Sequence, residues 1–121
     1  MTDNDKLQII ISEVCRETGV PIEALRSKSR KREIVVSRQM VYHFAKKDTK
    51  YSDTALGQKF TQTHTMPDIG IRAIEGLMLY KGYKERINDL RYKILAAYFQ
   101  LNGPDFDRWI RSMGTMITNQ N

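Results

Sequence analysis

The chain has 121 residues, 40% of them hydrophobic, and a formal net charge of +6; this suits one domain with a single modest core and excludes disorder throughout. No apolar run approaches the ~20 residues of a membrane span, and the acidic, polar N-terminus MTDNDKLQ carries no signal-peptide pattern, so a cytoplasmic protein without membrane partners is expected. The single Cys15 excludes an intramolecular disulfide and falls on an apolar stripe, as a buried structural thiol would.

The first element is an amphipathic helix over about residues 5–18. Leu7, Ile10, Ile11, Val14 and Cys15 recur at helical spacing, Asp3 or Asn4 is available as N-cap, and Gly19 followed by Pro21 supplies the stop. Pro21 to Leu25 can open a short second helix, since proline is tolerated in a first turn and Glu23 suits the positive helix end. A basic segment, SKSRKREIVVSRQ, follows over residues 27–39 and leads into a third helix from about Glu33 to Asp48, marked by Val36, Met40, Val41, Phe44 and Ala45. Ser52 or Asp53 can cap a short fourth helix to Phe60. Thr61 to Thr65 reads as a polar turn, and Met66 begins a fifth helix with Thr65 as N-cap and Pro67 in its first turn. Gly70, Ala73, Ile74, Leu77 and Met78 give that helix its inward face.

Charge is concentrated in one region. Between Arg26 and Lys50 there are nine Lys or Arg against two acids, a local +7, and the remaining 96 residues sum to −1. A patch of this kind neutralises phosphates and releases counterions, which makes nucleic acid the first partner to consider. On charge alone a solvated helix face explains it equally well. The short helix, polar turn and further helix over residues 53–78 form a helix-turn-helix candidate beside the patch, although any helical hairpin has the same periodicity.

The run SKSRKREIVVSRQMVYHFAKK, then YSDTALGQKF, then His64-Thr65 four residues after Phe60, resembles the C-terminal DNA-binding domain of the bacterial chromosomal replication initiator, DnaA, over about residues 5–80. The resemblance implies an all-α bundle of the Trp-repressor-like helix-turn-helix kind, binding duplex DNA with one helix in the major groove and a basic-loop arginine in the neighbouring minor groove. Arg30 falls at the position of that arginine, and a guanidinium suits a narrow, electronegative groove. Lys28, Arg38, Gln39 and Thr49 fall at positions associated with backbone contact, which sets register without reading sequence. Lys31 and Arg32 flank Arg30 as further phosphate partners, and an exposed charge without a role is the alternative for each.

The recognition helix departs from the pattern. DnaA carries Gly-Gly-Arg-Asp-His-Thr-Thr-Val where this chain has Thr61 to Pro67 with one residue fewer; His64 and Thr65 match, while Gln62 and Thr63 replace the arginine and the acid. Arginine grips guanine bidentately and aspartate accepts from cytosine, whereas glutamine prefers adenine and threonine is permissive, so the readout is expected to differ. Gln62, Thr63, His64 and Thr65 are the candidate readers. Metal ligation by His64 is not supported, because His43 is the only other histidine. Arg72, further along the helix, has a backbone contact or an open solvent position before it.

Beyond Lys81 the resemblance ends. Ile87, Leu90, Ile94, Leu95, Tyr98 and Phe99 form another stripe, Asn102-Gly103-Pro104 breaks it, and Asp105 to Ile117 can form a last helix with Phe106, Trp109, Ile110 and Met113 on one face. Residues 1–81 thus read as the DNA-binding domain and 82–121 as a helical hairpin packed on it. That hairpin either enlarges the core or offers a docking surface for a protein partner or a second copy. There is no glycine-rich phosphate loop, CxxC, HExxH or Ser-His-acid constellation, so no enzyme activity, cofactor or metal is expected. The expected function is that of a stand-alone, sequence-preferring duplex-DNA-binding protein acting by site occupancy in replication or transcription control. The alternatives are a protein-interaction module with only nonspecific nucleic-acid affinity, and binding to structured RNA.

Overall fold

Among residues 1–102, which the computed structural model describes, there are six α-helices and no strand. Helix α1 spans Asp3–Thr18 and starts two residues earlier than its apolar stripe indicates. The cause is a capping box: the Thr2 hydroxyl accepts from the Asp5 N–H at 3.0 Å, and the Asp5 carboxylate accepts from the Thr2 N–H at 3.0 Å. These bonds hold the Asp5 carboxyl below its usual range. Asp3 is therefore inside the helix, and its carboxylate accepts the Lys50 N–H instead, tying the start of α1 to the chain beyond α3. At the other end Gly19 adopts φ 74, a left-handed conformation that stops the helix without a Cβ penalty.

Helices α2 (Ile22–Leu25) and α3 (Arg32–Asp48) follow, the latter close to its expected bounds. Helix α4 (Asp53–Lys59) is capped by Ser52, whose Oγ accepts from the Ala55 N–H at 3.1 Å. Helix α5 covers Met66–Leu77, with Pro67 in its first turn; Thr65 occupies the cap position but makes no side-chain cap bond. Helix α6 runs Lys81–Asn102. The stripe ending at Phe99 lies on this helix, and the expected last helix over 105–117 lies outside the described residues.

Helix α3 is the hub, packed against α1, α2 and α5, and α1 in turn supports α6. One continuous core joins Leu7, Ile10, Ile11 and Val14 of α1 to Met40, Val41, Tyr42, Phe44 and Ala45 of α3, and reaches Leu56, Phe60 and Ile74 around the turn. Ile87, Leu90 and Ile94 of α6 belong to the same core. Helix α6 is further held by Asp48, which binds Arg91 and accepts from the Tyr98 hydroxyl at 2.6 Å, and by Glu17, which meets Arg86 and Lys93. Cys15 is half-buried, and burial together with nearby Glu23 pushes its thiol pKa up, away from reactivity.

Two glycines set how closely the elements around the turn approach. A Cβ on Gly70 would stand 3.1 Å from the Tyr42 ring and 3.2 Å from Gln39 Cγ, so the bare backbone lets α5 settle onto α3. A Cβ on Gly57 would stand 2.6 Å from the Thr63 carbonyl oxygen and 2.9 Å from that of Gln62. Only glycine allows the α4–α5 turn to fold against α4 in this way.

Candidate nucleic-acid interface

The basic loop between α2 and α3 is shaped by its serines. Ser27 Oγ donates to the Ala24 carbonyl at 2.6 Å and accepts from the Ser29 N–H, and Ser29 Oγ accepts from the Lys31 N–H. These local bonds replace secondary structure over residues that form none. Beneath them lies Arg38, 4% exposed, donating from Nε to the Leu25 carbonyl and from Nη2 to the Ser27 carbonyl, both at 2.9 Å. Burial lowers the Arg38 pKa, yet a guanidinium stays charged in proteins, and the two carbonyls stabilise that charge. Helix α3 thus fastens the loop from below.

The helix-turn-helix turn fastens it from the side. Thr61 adopts φ 59, a left-handed conformation that disfavours a β-branched residue by on the order of 1 kcal/mol. Its hydroxyl donates to the Arg26 carbonyl at 3.0 Å, a bond between the turn and the basic loop that offsets this strain. The next residue, Gln62, donates its N–H to the Gly57 carbonyl at 2.8 Å, and its side-chain Oε1 accepts from the Tyr42 hydroxyl at 2.6 Å. Thr63 and Thr65 pair through their hydroxyls at 3.0 Å.

Loop and turn enclose a groove of about 770 Å³, open to solvent. Lys28, Ser29 and Arg30 form one wall, Gln58, Thr61, Gln62 and Thr63 the other, and Arg38, Gln39 and Tyr42 lie along its length on α3. Lys28, Arg30, Lys31 and Arg32 are all exposed, and among the described residues none of the four is ion-paired. Several cations elsewhere are paired: Arg72 on α5 bonds Asp68, and Lys46 meets Asp53.

The structure therefore brings Lys28, Arg30, Arg38, Gln39, Gln62 and Thr63 around one groove, while His64 and Thr65 are exposed beyond its lining. Arg32 borders a smaller hollow of about 260 Å³ with Tyr83 and Arg86. Thr49 does not join them. It sits at the opposite end of α3, roughly 24 Å along a helix of this length, buried, with its hydroxyl donating to the Ala45 carbonyl at 2.7 Å. Arg38 is anchored, with its Nε and one Nη spent inward on the loop, and it also lines the groove. Tyr42, Gln58 and Thr61 were not singled out by the sequence. The departure from the glycine-rich turn was the one available signal, and it falls at Thr61.

Among the described residues no group of three His, Cys, Asp or Glu could hold a metal ion, and no helix is long and apolar enough to cross a membrane. Comparison with known proteins gives a match to the bacterial dnaA protein helix-turn-helix over residues 7–70. A chromosomal replication initiator protein DnaA of Oleidesulfovibrio alaskensis is 32% identical over 69 residues, 57% of this chain and 15% of that protein. The chain spans a small part of that relative's length, and the family match ends at residue 70, before α6.

Proposed function

The chain belongs to the bacterial DnaA helix-turn-helix family, and on that premise we propose that it binds duplex DNA with sequence preference and acts by occupying its sites in replication or transcription control. The observation that carries this reading is the basic segment: four exposed cations, unpaired among the described residues, follow a loop start that Arg38 and Thr61 fasten beside an exposed turn. A loop fastened in this way needs little ordering on binding, so more of its charge interaction appears as affinity. Arg30 enters the minor groove, Lys28, Lys31, Arg32 and Gln39 meet phosphates, and Gln62, Thr63, His64 and Thr65 face base edges. Arg38 serves from beneath, by fixing the loop, and Thr49 closes the end of α3.

Selection from a random duplex-DNA pool near physiological salt tests the proposal. The expected result is a reproducible motif bound at least about a hundredfold better than scrambled duplex, within the usual range of specificity ratios. Arg30→Ala is expected to weaken binding most where the minor groove is A·T-rich, and Lys28→Ala to weaken all sequences alike. Equal losses from both variants on every sequence would remove the minor-groove role. The alternative, an interaction module with only nonspecific nucleic-acid affinity, has one observation in its favour: Leu79 and Tyr80, between α5 and α6, are 87% and 69% exposed. Weak, salt-sensitive binding without a motif would favour that alternative.

A further inference from the structure

Ile69 is exposed at a place where folding gives little reason for an isoleucine. Among the described residues the exposed large hydrophobic side chains are Met1, Ile69, Leu79 and Tyr80. Met1 precedes α1, and Leu79 and Tyr80 lie between α5 and α6, so Ile69, 51% exposed, is the one that lies within a helix. Its neighbours fix which way that helix is turned. Gly70 closes on Tyr42 and Gln39, and Ile74 is fully buried, which sets that side of α5 against α3. Thr65, Ile69 and Arg72, at i, i+4 and i+7, are all exposed and form a row along the helix surface. A β-branched residue in such a row neither favours the helix nor gains much from burial.

Ile69 is the fourth residue of α5, within the N-terminal stretch through which a recognition helix meets base edges. It follows Thr65 by about 6 Å along the helix axis, roughly two base-pair steps of duplex. The major-groove edges of the base pairs present hydrogen-bond donors and acceptors and one apolar group, the C5 methyl of thymine. An isoleucine pressed against a donor or acceptor strips it of water and returns no hydrogen bond, whereas against the methyl two apolar surfaces leave water together. We propose that Ile69 is a specificity-determining residue that reads the C5 methyl of a thymine, about two base pairs from the base met by Thr65. The inference rests on the proposed placement of the turn and α5 against base edges, and it names a base feature which that surface selects.

Random-pool selection with the full chain supplies the motif, and titration of the selected duplex with each thymine replaced in turn by deoxyuridine tests the contact, because uracil lacks only the methyl. Removal of one such methyl is expected to weaken binding of the unaltered protein about fourfold, as loss of one buried methyl-sized group would. Ile69→Ala is expected to bind the selected duplex less tightly and to be indifferent to that methyl, while its response at every other thymine is unchanged. Ile69→Val keeps the branched apolar surface and most of the sensitivity. Both variants are expected to unfold in urea close to the midpoint of the unaltered protein, since so exposed a side chain holds little of the core. If Ile69→Ala is weakened by the same factor on thymine and uracil duplexes, its role is structural and the methyl contact is wrong. If a motif is selected but none of its thymines is sensitive to methyl removal, Ile69 reads no methyl and the DNA-reading function stands. No motif at all overturns that function and this inference together.

Discussion

His43 shows how much a single residue's meaning depends on its surroundings. It is 4% exposed on α3, its Nδ1 has no hydrogen-bond partner among the described residues, and its ring meets Phe44 edge-on. Burial, with Lys47 and Arg91 nearby and Asp48 only partly opposing them, lowers its pKa to about 4. The folded state therefore resists protonating a group that the unfolded chain protonates near pH 6.5. Stability from this group is fully present above pH 6.5 and is lost as pH falls toward 4, by up to about 3 kcal/mol. Urea unfolding at a series of pH values checks this: His43→Leu is expected to show a shallower loss over that window than the unaltered protein. Parallel losses would exclude His43 as the source. Arg38 makes the same point for charge. It lies in a basic run, yet at its register of α3 it is buried and held by two carbonyls.

At the scale of elements, apolar spacing located helices α1, α3, α5 and α6 because each keeps a stripe of helical period that has to be covered, while α4 was placed by its cap residues. Their ends were less legible. The start of α1 moved because the threonine immediately before the helix makes reciprocal bonds with Asp5, and acidic residues crowd that region. Helix α6 lies beyond the family match, yet its stripe at Ile87, Leu90 and Ile94 completes the cover over α1. Leu90→Ala is thus expected to lower the stability of the whole domain by roughly 2–5 kcal/mol, seen as a shifted urea midpoint in one cooperative transition. A loss under about 1 kcal/mol would mean that α6 contributes little to the common core.

For the molecule as a whole, the net charge of +6 matters less than where it is left unpaired. Arg16, Arg72, Arg86, Arg91 and Lys93 each sit on a carboxylate, whereas Lys28, Arg30, Lys31 and Arg32, clustered in the loop and at the start of α3, are unpaired among the described residues. Binding that displaces counterions with these four gives log K against log salt a slope of about −3 or steeper, at roughly 0.9 per phosphate neutralised. Affinity is then expected to fall roughly fiftyfold or more between 50 and 200 mM salt. A slope near zero in fluorescence titrations would show that the loop does not engage phosphates. Replacing Arg72 and Asp68 together by neutral residues would change the slope little, because the two charges already cancel.

The sequence by itself determined the helical class, the order of the helices, the family and the position of the basic segment, because periodicity, caps and residue charge are local properties of the chain. It could not determine which polar side chains turn inward. Arg38, Tyr42 and Thr61 reach partners that lie 13, 20 and 35 residues away, and such bonds exist only once α3, the loop and the turn have been packed together. Tertiary structure alone decided that the start of the basic loop is fastened by Arg38 and Thr61, and that Gln62 lines the groove while accepting from Tyr42.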